Sequence, residues 1–234
     1  MTISDTYSNM IAIYDEIFPF DDSAFGFLSS FVKKGGSVLD VGSATGKYVA
    51  SFNESGFLAT GLEYVDGFNT TGYPIVRGDM NFLPFKRGVF DLVYCIGNTM
   101  AHLKGRVGLL NFMKQVWDIL VPRGKFLVQI INYDRIFEKS LEGLPDIDTE
   151  NFLFKRGYSY KDASSFNFVG KIYQKPDLTL YHSFHQELTP YLYEDLIWIT
   201  NNLGFLFTEF YGDFRGGKFH KNESFVCIAV FTKP

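Results

Sequence analysis

The sequence predicts an α/β fold built on a doubly wound, mostly parallel sheet of seven strands, with a small antiparallel β insertion and a C-terminal antiparallel hairpin. Three observations predict it. Apolar β-like runs alternate with helical patterns as far as Ile131. The β-rich pieces between 151 and 187 follow one another without helices. The last two runs, 205–211 and 224–232, are joined by a loop alone and must pair antiparallel.

Two helices are predicted ahead of the first strand. Apolar and aromatic residues recur at helical spacing over 6–18, and Pro19 ends that pattern. A second helix is predicted over 22–33, with Asp21 or Asp22 as its N-cap.

The repeating unit follows. Its β-like runs are 37–41, 58–63, 74–77, 90–96 and 125–131, and helical patterns at 46–54 and 106–120 separate some of them. Such alternation demands parallel strands with right-handed crossovers. A β insertion is predicted over about 133–190, with a turn at Lys175-Pro176-Asp177, and a helix over 190–203 leads to the final hairpin. We expect residues 1–234 to form one domain.

Composition favours a small substrate over a nucleic acid. The chain of 234 residues has a formal net charge of −4 and no dense run of Lys and Arg, so a phosphate backbone has little to bind. The 26 Phe and 14 Tyr suit a large core and an apolar pocket. The histidines and cysteines lack the spacing of a metal site, and Cys95 and Cys227 lie in apolar runs typical of buried thiols.

The N-terminus begins without a basic leader, and no apolar run approaches the ~20 residues that cross a bilayer. We therefore expect a cytoplasmic protein with no membrane partner, which can form a homo-oligomer.

The loop after the first strand predicts the ligand. In VLDVGSATGKYV, Val38 to Val49, a strand enters a turn with two glycines and leaves as a helix. A P-loop would need one more residue between its glycines and a hydroxyl where Tyr48 stands. A dinucleotide loop lacks its middle glycines, and Asp40 would oppose a pyrophosphate. S-adenosylmethionine carries no phosphate and is cationic, so it fits the loop best.

Three acids follow consecutive strands, at the sheet edge where α/β proteins bind ligands. Asp40 precedes the glycine turn, Glu63 ends the second strand about twenty residues later, and Asp79 follows the third. Glu63 can accept hydrogen bonds from both hydroxyls of a ribose, and Asp79 can accept one from an adenine amine while the Met80 amide meets a ring nitrogen.

These motifs resemble the class I S-adenosylmethionine-dependent methyltransferases, a Rossmann-like family, over nearly the whole chain. Asp40 to Gly46 is similar to the family's D-x-G-x-G-x-G motif, with Ala44 in place of the middle glycine. The resemblance implies cofactor contacts from Tyr14, Asp40, Gly42, Ser43, Thr45, Gly46, Glu63, Tyr64, Asp79, Met80, Ile96 and Gly97. It also implies that an N-terminal helical segment, about 1–34, folds over the cofactor as a lid.

The strand exits indicate a small methyl acceptor. Neither the N-P-P-Y sequence of base-amine methyltransferases nor a Pro-Cys nucleophile is present. Gly97-Asn98-Thr99-x-x-His102-Leu103 and Asn132-Tyr133-Asp134 look most like glycine or sarcosine N-methyltransferases. The resemblance implies an amine bearing a carboxylate, held by Asn98, Asn132 and Tyr133. His102 is a candidate base.

Arginine is the residue suited to anchoring that carboxylate. Arg156 is the first candidate, and Arg135 and Arg215 are the second choices. Two alternatives stay open. The aromatic insertion equally suits a flat phenolic acceptor and an O-methyltransferase, and the domain could bind cofactor or partner without turnover.

Overall fold

The computed structural model describes residues 3–160, 162 and 165–234. Residues 1 and 2 of the predicted lid, and 161, 163 and 164 of the predicted insertion, lie outside the described residues.

The secondary structure follows the predicted α/β order. The helices are α1 Ile3–Ser8, α2 Tyr14–Ile17, α3 Asp22–Ser29, α4 Lys47–Glu54, α5 Gly105–Ile119, α6 Tyr133–Glu138 and α7 Tyr193–Leu203. The strands are β1 Ser37–Val41, β2 Leu58–Glu63, β3 Ile75–Arg77, β4 Phe90–Cys95, β5 Leu120–Ile131, β6 Gly143–Asp148, β7 Phe152–Tyr160, β8 Phe166–Gln174, β9 Thr179–Leu188, β10 Phe207–Tyr211 and β11 Val226–Thr232. Short 3₁₀ turns lie at Ile11–Ile13 and Thr99–His102.

The main sheet has seven strands in the order β10-β11-β5-β4-β1-β2-β3. Strands β1 to β5 pair in parallel, whereas β11 is antiparallel to both β5 and β10. The predicted sheet and its C-terminal hairpin are therefore confirmed. The order reverses direction between β1 and β4, so the loops after these strands diverge and leave a crevice at their carboxyl ends.

Helices cover both faces of the sheet because alternate strand residues point to opposite sides. On one face Leu39 and Val93 belong to a buried cluster with Phe112 of α5 and Ile199 of α7. On the other face Val38 belongs to a second cluster with residues of α3 and α4, including Phe52. The doubly wound arrangement thus holds the strand ends in a rigid frame.

The insertion forms a separate antiparallel sheet in the order β6-β7-β8-β9. The turn at Lys175-Pro176-Asp177 connects β8 to β9, as predicted. The inner face of the insertion sheet contributes Phe154, Ile172 and Phe184 to a buried apolar cluster that also contains Met10 and Ile17 of the N-terminal segment. The N-terminal segment is therefore packed between the insertion and the main sheet.

Two N-terminal predictions were wrong in detail. The helix predicted over 6–18 is broken into α1, a 3₁₀ turn and α2, because this segment follows two surfaces: Tyr7 lines a pocket beside the main sheet, while Ile13 and Ile17 pack on the insertion. The second helix begins at Asp22 as predicted but ends at Ser29, before residue 33. The hydroxyls of Ser29 and Ser30 donate to carbonyls of its last turn.

Candidate active site

A pocket opens at the carboxyl ends of β1, β2 and β4 and holds about 890 Å³ including its mouth. Of the predicted cofactor residues, the structure brings seven to its lining: Tyr14, Gly42, Glu63, Tyr64, Asp79, Met80 and Gly97. His102, a predicted catalytic residue, lies in the same lining.

Glu63 is fixed at the end of β2 by backbone donors. Its Oε2 accepts from the Ala44 amide at 2.8 Å, and its Oε1 accepts from the Val65 amide at 2.8 Å. Burial raises the pKa of this carboxyl, and the amide hydrogen bonds act in the opposite direction. Each carboxylate oxygen keeps a further lone pair, so Glu63 is oriented to accept from the two hydroxyls of a ribose.

Asp79 is held in the loop after β3. Its Oδ1 accepts from the backbone amide and the side-chain amide of Asn81, both at 2.8 Å. These bonds fix the carboxylate, and Asp79 and Met80 lie next to each other in the pocket lining. This pairing suits an amine and a ring nitrogen on the edge of an adenine.

The loop after β1 needs its glycine at position 42. Gly42 has φ +81°, and a Cβ there would lie 2.5 Å from the Cγ2 atom of Thr99. Ala44, which replaces the middle glycine of the family motif, also adopts positive φ, at 45°. The Ala44 amide donates to Glu63, which holds the turn in place. The backbone of the turn can therefore still lie close to a bound nucleoside, although Ala44 replaces a glycine.

Five predicted cofactor residues lie outside the pocket lining. They are Asp40, Ser43, Thr45, Gly46 and Ile96. Burial raises the pKa of Asp40 to about 8, and among the described residues its Oδ1 has no hydrogen-bond partner. Thr45 donates to Asp15 Oδ1 at 2.7 Å, which ties the loop to the N-terminal segment. Asp40 belongs to β1, Ser43, Thr45 and Gly46 belong to the loop after β1, and Ile96 follows β4.

The N-terminal segment closes one side of the pocket with two tyrosines. Tyr14 packs edge-on against Phe68, with ring centroids 4.9 Å apart, and burial raises the pKa of its hydroxyl. The Tyr7 hydroxyl lies 3.3 Å from Nε2 of His102. Sequence reasoning placed Tyr7 in the lid and missed it as a site residue; its seven-residue spacing from Tyr14 on one helical face was the available signal.

His102 ends the 3₁₀ turn after β4 and is held neutral. Burial lowers the pKa of its imidazole to about 4, and the nearby charge of Lys104 acts in the same direction. Its Nδ1 is buried and has no partner among the described residues. His102 therefore contributes a neutral imidazole to the pocket lining, which can accept or donate a hydrogen bond.

Asn98 and Tyr133 are hydrogen-bonded to each other beside the site. The Asn98 side-chain nitrogen donates to the Tyr133 hydroxyl at 2.9 Å, and its Oδ1 accepts from the Ile131 amide at 3.1 Å. Asn98 has φ 66°, following Gly97 at φ 69°. This pair joins the exit of β4 to the exit of β5, and neither residue lines the pocket.

Asn132 and Arg156 are not brought to the pocket lining. The Asn132 side chain donates to the carbonyls of Lys221 and Ser224, each at 2.8 Å, and caps α6 by accepting from the Arg135 amide. The Arg156 guanidinium donates to the Pro145 carbonyl through Nε at 2.9 Å and through Nη2. Both side chains have hydrogen-bond partners within the protein.

Known proteins match part of this sequence and share its fold. Residues 39–128 match the family model described as a methyltransferase domain. The CcbJ methyltransferase from Streptomyces caelestis is similar in structure, with a TM-score of 0.80, 16% identity, and coverage of 99% of this chain and 98% of that one.

Two further solved structures share the fold. The sugar N-methyltransferase KedS8 from a Streptoalloteichus species has a TM-score of 0.73 and 17% identity, over 100% of this chain and 94% of that one. The amino pentose methyltransferase CalS10 from Micromonospora echinaspora, solved with S-adenosylmethionine bound, has a TM-score of 0.69 and 17% identity, over 95% of each chain. The chain spans about half the length of the curated relatives it matches.

Residues 39–128 thus match a methyltransferase domain, and the chain as a whole shares the fold of solved methyltransferases. The residues at the pocket fit S-adenosylmethionine: Glu63 and Asp79 suit its ribose and adenine, and the Gly42 turn leaves room beside the backbone.

Among the described residues, no helix is both long and apolar enough to cross a membrane. Over the same residues, no group of three or more His, Cys, Asp and Glu side chains is placed to hold a metal ion.

Proposed function

We propose that this protein transfers the methyl group of S-adenosylmethionine to the amine of a small molecule. The observation that carries the proposal is the layout of one pocket, with Glu63 and Asp79 at its nucleoside end and Tyr7 with a neutral His102 elsewhere in its lining. When bound, the cofactor supplies an electrophilic methyl group on a sulfonium.

The remaining work of the protein is alignment and exclusion of water. Glu63 and Asp79 orient the nucleoside, so that the methyl group is presented in one direction. Tyr7 and Tyr14 exclude water from that side of the pocket. His102, whose pKa is lowered by burial, is neutral at neutral pH and accepts a hydrogen bond from the amine, which has lost its proton to solvent before binding.

Asn98 and Tyr133 act as positioning residues in this proposal. Their hydrogen bond holds the β4 exit, and with it the turn Thr99–His102, against the end of β5. A shift of this turn would move His102 relative to the cofactor, and small displacements in a site of this kind are costly to rate.

The acceptor expected from the sequence, an amine bearing a carboxylate, needs a cationic anchor. Among the described residues that line the pocket there is no Lys or Arg, and Arg156 donates to a backbone carbonyl instead. We therefore favour an amine whose other polar groups are neutral. The sugar N-methyltransferase and the amino pentose methyltransferase among the similar structures support this choice.

Methyl transfer from labelled S-adenosylmethionine tests the proposal with four acceptor groups: amino sugars, simple cyclic amines, glycine with sarcosine, and catechol-like phenols. We expect product with amines. Product confined to phenols would replace the amine by an oxygen acceptor. Efficient methylation of glycine that falls tenfold or more in Arg156→Ala would restore the carboxylate anchor.

A further inference from the structure

The buried polar atoms that lack a hydrogen-bond partner among the described residues fall into two groups. Ser43 Oγ, in the loop after β1, belongs to the first, with Asp40 Oδ1 of β1 and the hydroxyl of Tyr94 of β4, two side chains that interact with each other. His102 Nδ1, the Tyr158 hydroxyl and Gln186 Oε1 form the second. A buried polar atom without a partner costs roughly 1–3 kcal/mol, so a group of three calls for a physical reason.

Tyr158 and Gln186 lie in one row of the insertion sheet. Tyr158 of β7 is paired with Phe168 of β8, and Phe168 is paired with Gln186 of β9. The three side chains therefore share one face, with the Phe168 ring between the two polar groups. Because neighbouring strands lie about 4.8 Å apart, the outer two Cα atoms are separated by roughly 10 Å.

This row faces the main domain rather than solvent. Phe168 packs in the cluster that contains Tyr7, and Tyr7 lines the pocket and reaches His102. The end of β9 is fixed beside the same histidine, because the Thr189 amide donates to the Ala101 carbonyl at 2.7 Å. Gln186 is 8% exposed.

We propose that Tyr158, Phe168 and Gln186 form an acceptor subsite for a neutral, hydroxyl-bearing ring. The inference rests on the proposed function and specifies its substrate class. Gln186 Oε1 needs a donor, and the Tyr158 hydroxyl can donate or accept, so hydroxyl groups satisfy both. The Phe168 ring offers an apolar surface to the carbon face of such a ring, and the amine is directed toward His102. These three side chains lie outside the lining of the pocket in this structure, so the proposal requires α1, which carries Tyr7, to move aside as the acceptor enters.

The test uses Tyr158→Phe and Gln186→Leu in the full chain, with His185→Ala as the matched control because His185 is exposed on the opposite face of β9. Three quantities are measured: the melting temperature without ligand, the Kd of S-adenosylhomocysteine, and the ratio of kcat/KM for glucosamine to that for cyclohexylamine. Glucosamine carries the hydroxyls that cyclohexylamine lacks.

We expect both variants to melt at or above the wild-type temperature, since each removes an unsatisfied polar group. Their Kd for S-adenosylhomocysteine should stay within about twofold, while the glucosamine preference falls about tenfold. The control should keep all three values.

Lower melting temperatures in both variants would show that these atoms already have partners, such as bound water, and would overturn the subsite. An unchanged preference, or a wild type that methylates cyclohexylamine as well as glucosamine, would overturn it while leaving the proposed function intact. A wild type that binds S-adenosylhomocysteine but methylates no amine would instead overturn the proposed function.

Discussion

The hydroxyl of Tyr7 lies 3.3 Å from Nε2 of His102, and the two rings meet edge to face with centroids 5.9 Å apart. The contact joins the first helix of the chain to the turn after the fourth strand of the main sheet. Tyr7 thus connects the N-terminal segment to the candidate base.

Removing this contact should slow methyl transfer more than it weakens cofactor binding. We expect Tyr7→Phe to lower kcat/KM for an amine acceptor about tenfold, because the hydroxyl that orients the imidazole is lost. His102→Gln should lower it further, and the two effects should not add. Tyr181→Phe, an exposed tyrosine of β9, is the control. Full activity in both site variants would remove His102 from the mechanism.

The nucleoside end of the pocket predicts a specific loss of affinity. Glu63→Ala and Asp79→Ala should each raise the Kd of S-adenosylhomocysteine by roughly ten- to a hundredfold, as expected for a lost hydrogen bond to a charged group. Asp66→Asn is the control, since Asp66 is exposed and pairs with Arg77. Titration calorimetry measures all three. Wild-type affinity in both variants would contradict the cofactor orientation.

The N-terminal segment is predicted to be a lid that is held on the insertion by the hydrogen bonds of Glu16. The Glu16 carboxylate accepts from the Thr149 hydroxyl at 2.5 Å and from the Asn151 amide at 2.9 Å, and these bonds lower the pKa of Glu16. Hydrogen exchange over residues 3–17 should slow when S-adenosylhomocysteine is added. Glu16→Gln should speed that exchange, whereas Glu54→Gln should leave it unchanged. Equal exchange with and without ligand would exclude the lid.

The neutral state of His102 predicts a pH dependence of stability. The pKa of His102 in the folded protein, about 4, lies below the ordinary value of 6.5. Between pH 6.5 and pH 4 the imidazole is therefore protonated in the unfolded chain but neutral in the folded protein. This contribution is therefore intact above pH 6.5 and is lost as the pH falls toward 4, up to roughly 3 kcal/mol. Asp40, whose pKa is raised to about 8, contributes with the opposite sign.

Urea denaturation at pH 7.5, 6 and 5 distinguishes the contribution of His102 to the pH dependence of stability from that of Asp40. The free energy of unfolding of His102→Gln should fall less steeply with decreasing pH than that of the wild type. His220→Gln, which alters an exposed histidine, should follow the wild type. Parallel curves for wild type and His102→Gln would show that the imidazole titrates normally in the folded protein.

The main sheet was predictable because its signals are local. Strands β1 and β2 begin and end at the predicted residues, since an apolar run bounded by glycines and polar residues marks a buried strand. The positions of Glu63 and Asp79 followed from the same pattern, because parallel strands end at one edge of their sheet. Local sequence could also predict the positive φ of Gly42 from the turn that it must make.

What the sequence by itself determined was therefore the α/β sheet, the loop after β1 and the acids at the strand ends, all of which depend on residues close in the chain. The tertiary structure decided that Tyr7 meets His102, that Asn132 and Arg156 bond to backbone carbonyls, and that Tyr158 and Gln186 share a row. These relationships join segments up to 95 residues apart. The contact between Tyr7 and His102 depends on how the N-terminal segment packs against the insertion, and the free energy of that packing is spread over many apolar contacts rather than written in any one motif.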